Sequence, residues 1–194
     1  MWRIVVLLVL GMLGCSSQPP EGFNATDITG SAIGQSLAGL KDSRGQERSI
    51  AEFRGKAVIV FFGYTSCPDV CPTTLTRLAD VMKQLGPDAE RVQVILISVD
   101  PETDTPERLG PYVTAFHPSF VGLAGDMPAT EAVARGFKVF FAKAKGGHHV
   151  GMIDHTTGAY VFDPAGRIRL YVKDDAAVEK IVGDLRRLLA DKSA

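Results

Sequence analysis

Apolar and polar positions divide the chain into continuous runs and periodic stretches. Residues 57–62 (AVIVFF) are apolar throughout and rich in β-branched and aromatic side chains, the pattern of a strand buried on both faces. Residues 91–100 (RVQVILISVD) read as a second buried strand. Between them, Leu75, Leu78, Ala79, Met82 and Leu85 recur at helical spacing, and Gly86 and Pro87 end the helix. Helical patterns follow over 106–116 and 128–136, with Pro106 and Pro128 near their starts. FKVFFA (137–142) predicts a further strand. GAYVFDPAGRIRLYV (158–172) predicts a β-hairpin that turns at Asp163, Pro164, Ala165 and Gly166. Segment 174–190 closes as an amphipathic helix, with Val178, Ile181, Val182, Leu185, Leu188 and Leu189 on one face. The order β-α-β-α-β-β-α predicts an α/β fold, a central mixed sheet flanked by helices. No internal repeat interrupts it.

The first twenty residues break this pattern. MWRIVVLLVLGMLGCSSQPP places Arg3 before an apolar stretch over 4–13, which has signal-peptide length and is short for a bilayer span. It ends in MLGC, which resembles the lipobox of a bacterial lipoprotein, where the cysteine becomes the lipidated first residue. Met12 stands where leucine is more usual. The alternative is a plain signal peptide or an uncleaved anchor with an incidental Cys15. The expected organisation is a lipoprotein-type signal peptide over 1–14, a flexible tether over 15–25, and one folded domain over 26–194. The folded part is then exported and faces the periplasm or the outside of the cytoplasmic membrane. Ser16 after Cys15 tilts the anchor toward the outer membrane in a cell that has two.

Composition adds little beyond exclusions. The 194 residues carry a formal charge of −1, with 45% hydrophobic and 22% charged residues, the profile of one ordinary globular domain. No Lys/Arg block stands out, which argues against a nucleic-acid partner.

The chemistry lies in TSCPDVCPTT (65–74), where Cys67 and Cys71 are four positions apart. Cys15 belongs to the leader, so these are the only thiols of the domain. An exported compartment would oxidise two idle thiols that can meet. A bridge over three residues, however, closes a very small loop and stabilises less than a long-range staple. A redox dithiol or a metal grip is the better use of the pair. It sits where a buried strand turns into a helix, and Pro72 suits the helix's first turn. Helix N-termini favour thiolate over thiol. Thioredoxin-like redox proteins place a Cys-x-x-Cys at such a junction. Here Pro68 and Asp69 lie within a Cys-x-x-x-Cys, whose extra residue lets both sulfurs point at one ion.

Thiolates and imidazole together suit copper(I) and zinc. Of the four histidines, His117 in AFHPSF reads as a loop or surface residue. His148 and His149 lie in the polar loop KAKGGHHVGMIDH, and His155 follows Asp154 just before the 158–172 hairpin. Spacing does not choose among these three. Met127 and Met152 are read as packing residues rather than ligands.

GYTSCPDVCPTTL (63–75), ISVDPETDTPERLGPYVTAF (97–116) and DHTTGAYVFDPAGRI (154–168) resemble, in order and spacing, the Sco/SenC family of copper proteins. The similarity runs from about Phe23 to Leu189. The resemblance implies a thioredoxin-like fold and copper bound by Cys67, Cys71 and His155. It also implies a membrane tether, here a lipid on Cys15. The family is implicated in building the dinuclear copper centre of cytochrome c oxidase, by delivering copper or by reducing that site's cysteines. The implied partners are therefore a copper-accepting oxidase subunit and an upstream copper donor. Two thiolates and one imidazole suit Cu(I), and Cu(II) would want a further ligand such as water or Asp69. Asp69 reads equally well as a helix-start carboxylate. Asp154 is expected either to orient the His155 ring or to cap a turn.

Three functions follow as expectations. The first is a stoichiometric copper metallochaperone rather than a turnover enzyme. The second is a periplasmic thiol-disulfide oxidoreductase cycling a Cys67–Cys71 disulfide. The third and weakest is a thiol peroxidase, since YTSCP is superficially similar to peroxiredoxins. Such an enzyme needs an arginine at the thiolate, for which Arg135 is a candidate.

Overall fold

The computed structural model describes residues 22–34, 36–144 and 152–191. The leader with Cys15, most of the tether, and His148 and His149 lie outside the described residues.

Two parallel strands form the centre, β2 (Ala57–Gly63) and β3 (Val92–Ser98), each buried at every position. β4 (Val121–Leu123) extends the sheet in parallel beside β3. On the other side β7 (Ala159–Phe162) runs antiparallel to β2, then β8 (Ile168–Val172) to β7 and β1 (Thr26–Asp27) to β8. The order is β1-β8-β7-β2-β3-β4. This is the expected thioredoxin-like mixed sheet.

Side-chain alternation sends each central strand to two cores. Ala57, Ile59 and Phe61 face α1 (Val70–Leu85) and α4 (Val178–Ala190), with Leu109 and Val113 of α2 (Pro106–Thr114) in the same cluster. Val58, Val60 and Phe62 face Val133, Ala134 and Phe137 of α3 (Met127–Phe137). The domain's start is fastened to α4, where the buried Asp184 carboxylate accepts the N–H groups of Asn24 and Ala25 at 2.9 and 2.8 Å. Among the described residues no helix is long and apolar enough to cross a membrane.

The 158–172 hairpin forms as expected. Its turn carries Gly166 at φ +80°, and the Asp163 carboxylate accepts the N–H groups of Ala165 and Arg167. The strand expected over 137–142 does not form as such. Phe137 is the last residue of α3 and fully buried, edge-on to Phe62 and Tyr160, so the helical period continues through it. Lys138 then turns the chain in the left-handed region (φ 56°). The strand beside β3 is β4, which the sequence pattern did not mark. Pairing begins later in the 137–142 segment, in β5 (Phe141–Lys143), which pairs antiparallel with β6 (Ile153–His155) in a separate two-stranded sheet.

Candidate metal centre

The site is built where β2 gives way to α1. Gly63 ends the strand at full burial, and the chain turns through Tyr64, with Cys67 N–H donating to the Tyr64 carbonyl at 3.3 Å. Cys71 enters the first turn of α1, where backbone N–H groups lack helical partners. Its own N–H points at the Cys67 sulfur, 3.4 Å away, so one cysteine caps the helix that carries the other. Both are free thiols. Cys67 is partly exposed and Cys71 is 1% exposed. No residue larger than glycine fits beneath Cys71, because a Cβ at position 63 would lie 2.7 Å from its sulfur.

The third donor comes from 84 residues away. His155 ends β6, with its Nε2 3.7 Å from the Cys71 sulfur. Its Nδ1 lies 2.9 Å from the Thr156 carbonyl oxygen. A carbonyl only accepts, so in the neutral ring Nδ1 carries the proton and Nε2 keeps its lone pair for the sulfur or an ion. The ligand atoms of Cys67, Cys71 and His155 all lie within 4.8 Å of one another, the one such His/Cys/Asp/Glu group among the described residues. Donors separated by about 4 Å can share one ion at bond lengths of roughly 2.0–2.3 Å. Two sulfurs and an imidazole suit a soft, thiophilic ion.

Burial sets the protonation of the inner thiol. The helix N-terminus was expected to favour thiolate. At Cys71 burial dominates and pushes the thiol up, with Cys67 and Asp104 adding to the effect against a bond from the Tyr64 backbone. Burial thus favours the protonated thiol, and a bound ion would have to displace that proton.

The other candidates from the sequence are not members of this group. Asp69 is the N-cap residue of α1, exposed, with Oδ1 3.3 Å from the Thr73 hydroxyl. Asp154 is exposed on β6, and the His155 ring is held by the Thr156 carbonyl. His117 bonds Ser119 Oγ at 2.8 Å and lies against the Phe120 ring. Met127 opens α3, while Met152 stands just before β6 and its carbonyl accepts the Ala144 N–H. Arg135 is exposed on α3 and paired with Glu131 at 3.8 Å.

Two supports escape a reading of the sequence. Asp104, 1% exposed, accepts the Thr65 N–H at 3.0 Å, the Thr65 hydroxyl at 2.5 Å and the Ser98 hydroxyl at 2.8 Å. It thus ties the cysteine loop to the end of β3. Tyr64, 3% exposed, accepts the Ile153 N–H at 3.1 Å, and its ring meets His155 edge-on at 5.9 Å. Only the position of Asp104 within the SVDPETDT block hinted at a role.

Residues 29–190 match the sequence model of the SCO1/SenC family. The chain belongs to this family. It is 36% identical over 162 residues to the mitochondrial SCO2 homolog of Mus musculus, covering 82% of this chain and 64% of that protein. The chain thus spans about six-tenths of the length of the mammalian relatives it matches. Among solved structures, ScoI of Bradyrhizobium japonicum with copper bound has 36% identity and a TM-score of 0.69, covering 77% of this chain and 95% of that one. Apo Sco1 of Thermus thermophilus has 42% identity and a TM-score of 0.68, covering 77% and 88%. Sco proteins share the thioredoxin-like sheet, and this SCO1/SenC protein places Cys67, Cys71 and His155 at its helix-opening end.

Proposed function

We propose that this SCO1/SenC protein is a copper carrier that holds its cargo with Cys67, Cys71 and His155 and assists assembly of the copper centre of cytochrome c oxidase. The observation that carries this reading is the convergence of two sulfurs and a bare Nε2 within 4.8 Å. Copper in ScoI of B. japonicum, at 36% identity, supports the choice of metal. Two thiolates and one imidazole satisfy Cu(I), and the partial exposure of Cys67 leaves an edge from which an acceptor's ligands can enter one at a time. Cu(II) would recruit water or a carboxylate, and Asp69 is the nearest acid in sequence. The cargo passes from an upstream donor to a copper-accepting oxidase subunit. Residues 1–14 act as a signal peptide, and a lipid on Cys15, through the tether over 15–25, holds the 26–194 domain outside the cytoplasmic membrane.

The test is copper content and X-ray absorption on the reduced protein. Wild type is expected to hold one Cu(I) with two sulfurs and one nitrogen. His155→Ala is expected to lose the nitrogen, and Cys67→Ala and Cys71→Ala to lose the metal. Tight binding by all three variants would sink the reading.

A thiol-disulfide oxidoreductase is the second reading. It is favoured by the division between a partly exposed Cys67 at the helix N-terminus and a buried Cys71 behind it, a nucleophile and its resolving partner. Such an activity needs both cysteines and not His155. Oxidase assembly restored by His155→Ala would favour it over the carrier. A thiol peroxidase ranks last, because its candidate arginine, Arg135, is exposed and already paired with Glu131.

A further inference from the structure

We propose that Tyr64 is the positioning residue for the third ligand, its hydroxyl pinning the hairpin that carries His155 to the loop that carries Cys67. This rests on the three-ligand reading of the site.

Ile153 and Phe141 pack into the core beside Tyr64, but the hairpin's backbone stands apart from the main sheet. β5 and β6 form a two-stranded sheet of three residues each, separate from the main sheet. An isolated two-stranded hairpin is marginal in water. Its ion pair to the body, Lys143 to Glu102 at 2.6 Å, has both side chains more than half exposed, where such pairs contribute little. The Tyr64 bond differs in kind. The hydroxyl accepts the Ile153 N–H at 3.1 Å in a buried setting, across 89 residues of sequence. Ile153 and His155 are two apart on β6, so both side chains leave the same face of the strand. The same ring packs edge-on against the imidazole. At its other end Tyr64 is bound into the cysteine turn, because its carbonyl accepts the Cys67 N–H. One residue therefore spans the two halves of the donor set.

Phenylalanine at position 64 would keep the ring and its packing and remove the hydroxyl, which accepts the Ile153 N–H and also bonds the Cys67 side chain. The Ile153 N–H would then be buried without a partner, a cost the hairpin relieves by opening toward water. Opening carries Nε2 away from the sulfurs. The cysteines stay in place, because Gly63, α1 and Asp104 hold them independently of the hairpin.

The experiment is Tyr64→Phe in the full chain, alone and combined with His155→Ala. In the reduced, metal-free protein, amide exchange at Ile153 is expected to quicken at least about tenfold, with β2 and β3 amides unchanged. Cu(I) affinity, measured by chelator competition, is expected to fall roughly ten- to a hundredfold, as for other supports of metal-bound histidines, with loss of the nitrogen in X-ray absorption. In the His155→Ala background the same substitution is still expected to quicken Ile153 exchange but to lower Cu(I) affinity no further. Unchanged Ile153 exchange, or losses of Cu(I) affinity from the two substitutions that add, would overturn the proposal. If His155→Ala alone binds copper as wild type does, it is the three-ligand reading that has failed. The exchange result separates that outcome from a failure of the Tyr64 contact itself.

Discussion

The Cys71 sulfur rests on Gly63, with room for a hydrogen and no more, because a side-chain carbon there would stand 2.7 Å from Sγ and 3.1 Å from Leu96 Cδ1. The glycine is required for space, since its backbone lies in a regular strand. Gly63→Ala is therefore expected to move Cys71 off the shared point and to destabilise the fold by about 1–3 kcal/mol, the usual cost of overpacking. Copper competition and chemical denaturation read the two effects. Wild-type copper affinity in this variant would mean that the sulfur has slack the packing does not show.

Copper binding is expected to strengthen with pH. Burial holds the Cys71 thiol up, so the empty protein carries its proton at neutral pH and binding must release it. Only the deprotonated form is a ligand, so raising pH lowers the cost of binding and lowering it raises the cost. The expected slope is about tenfold in apparent affinity per pH unit between pH 6 and 8 from this thiol alone. Calorimetry in buffers of different ionisation enthalpy counts the protons released. A flat profile would show that Cys71 is already a thiolate or is not a ligand.

The two thiols are expected to react in order. Cys67 is partly exposed, while Cys71 is 1% exposed and held protonated. Brief treatment of the reduced protein with iodoacetamide should mark Cys67 first, and peptide mapping by mass spectrometry gives the ratio. Bound copper should protect both. Equal labelling of the two would mean that the loop opens faster than the reagent attacks.

Asp104→Ala is expected to destabilise the protein by about 1–3 kcal/mol for each buried donor left without an acceptor, chiefly the Thr65 N–H. Asp104→Asn retains a carbonyl oxygen and should lose less. Thermal or urea unfolding of the metal-free protein orders the three forms. If alanine and asparagine behave alike, the carboxylate is satisfying fewer groups than its bonds imply.

The sequence made the central architecture and all three donors accessible by different routes. β2, β3, α1 and the 158–172 hairpin are legible because burial on both faces, helical periodicity and turn chemistry each leave a local mark. The choice of His155 over His148 and His149 came from resemblance, since what sets it apart is a contact across 84 residues. β4 and the β5–β6 hairpin, three residues per strand, are too short to show a period. Phe137 reads as strand because aromatic neighbours at 140 and 141 mask the helical spacing from Val133. Tyr64 and Asp104 are illegible for a related reason. An aromatic beside a strand and an acid in a loop have many ordinary uses, and only their partners at Ile153 and Thr65 reveal what they hold.

The span between Cys71 and His155 also bears on how the molecule ages in the cell. An ion shared across it would close a long chain loop and bind the folded state more tightly than the unfolded chain, which keeps only the local Cys67–Cys71 pair, so loading would raise resistance to unfolding. Unloading would reverse this, and the short β5–β6 hairpin would lose the ion that ties it to the cysteine loop. On the proposed carrier reading, the discharged protein is therefore expected to be a softer target for proteases than the loaded one, so its lifetime would record whether it is carrying.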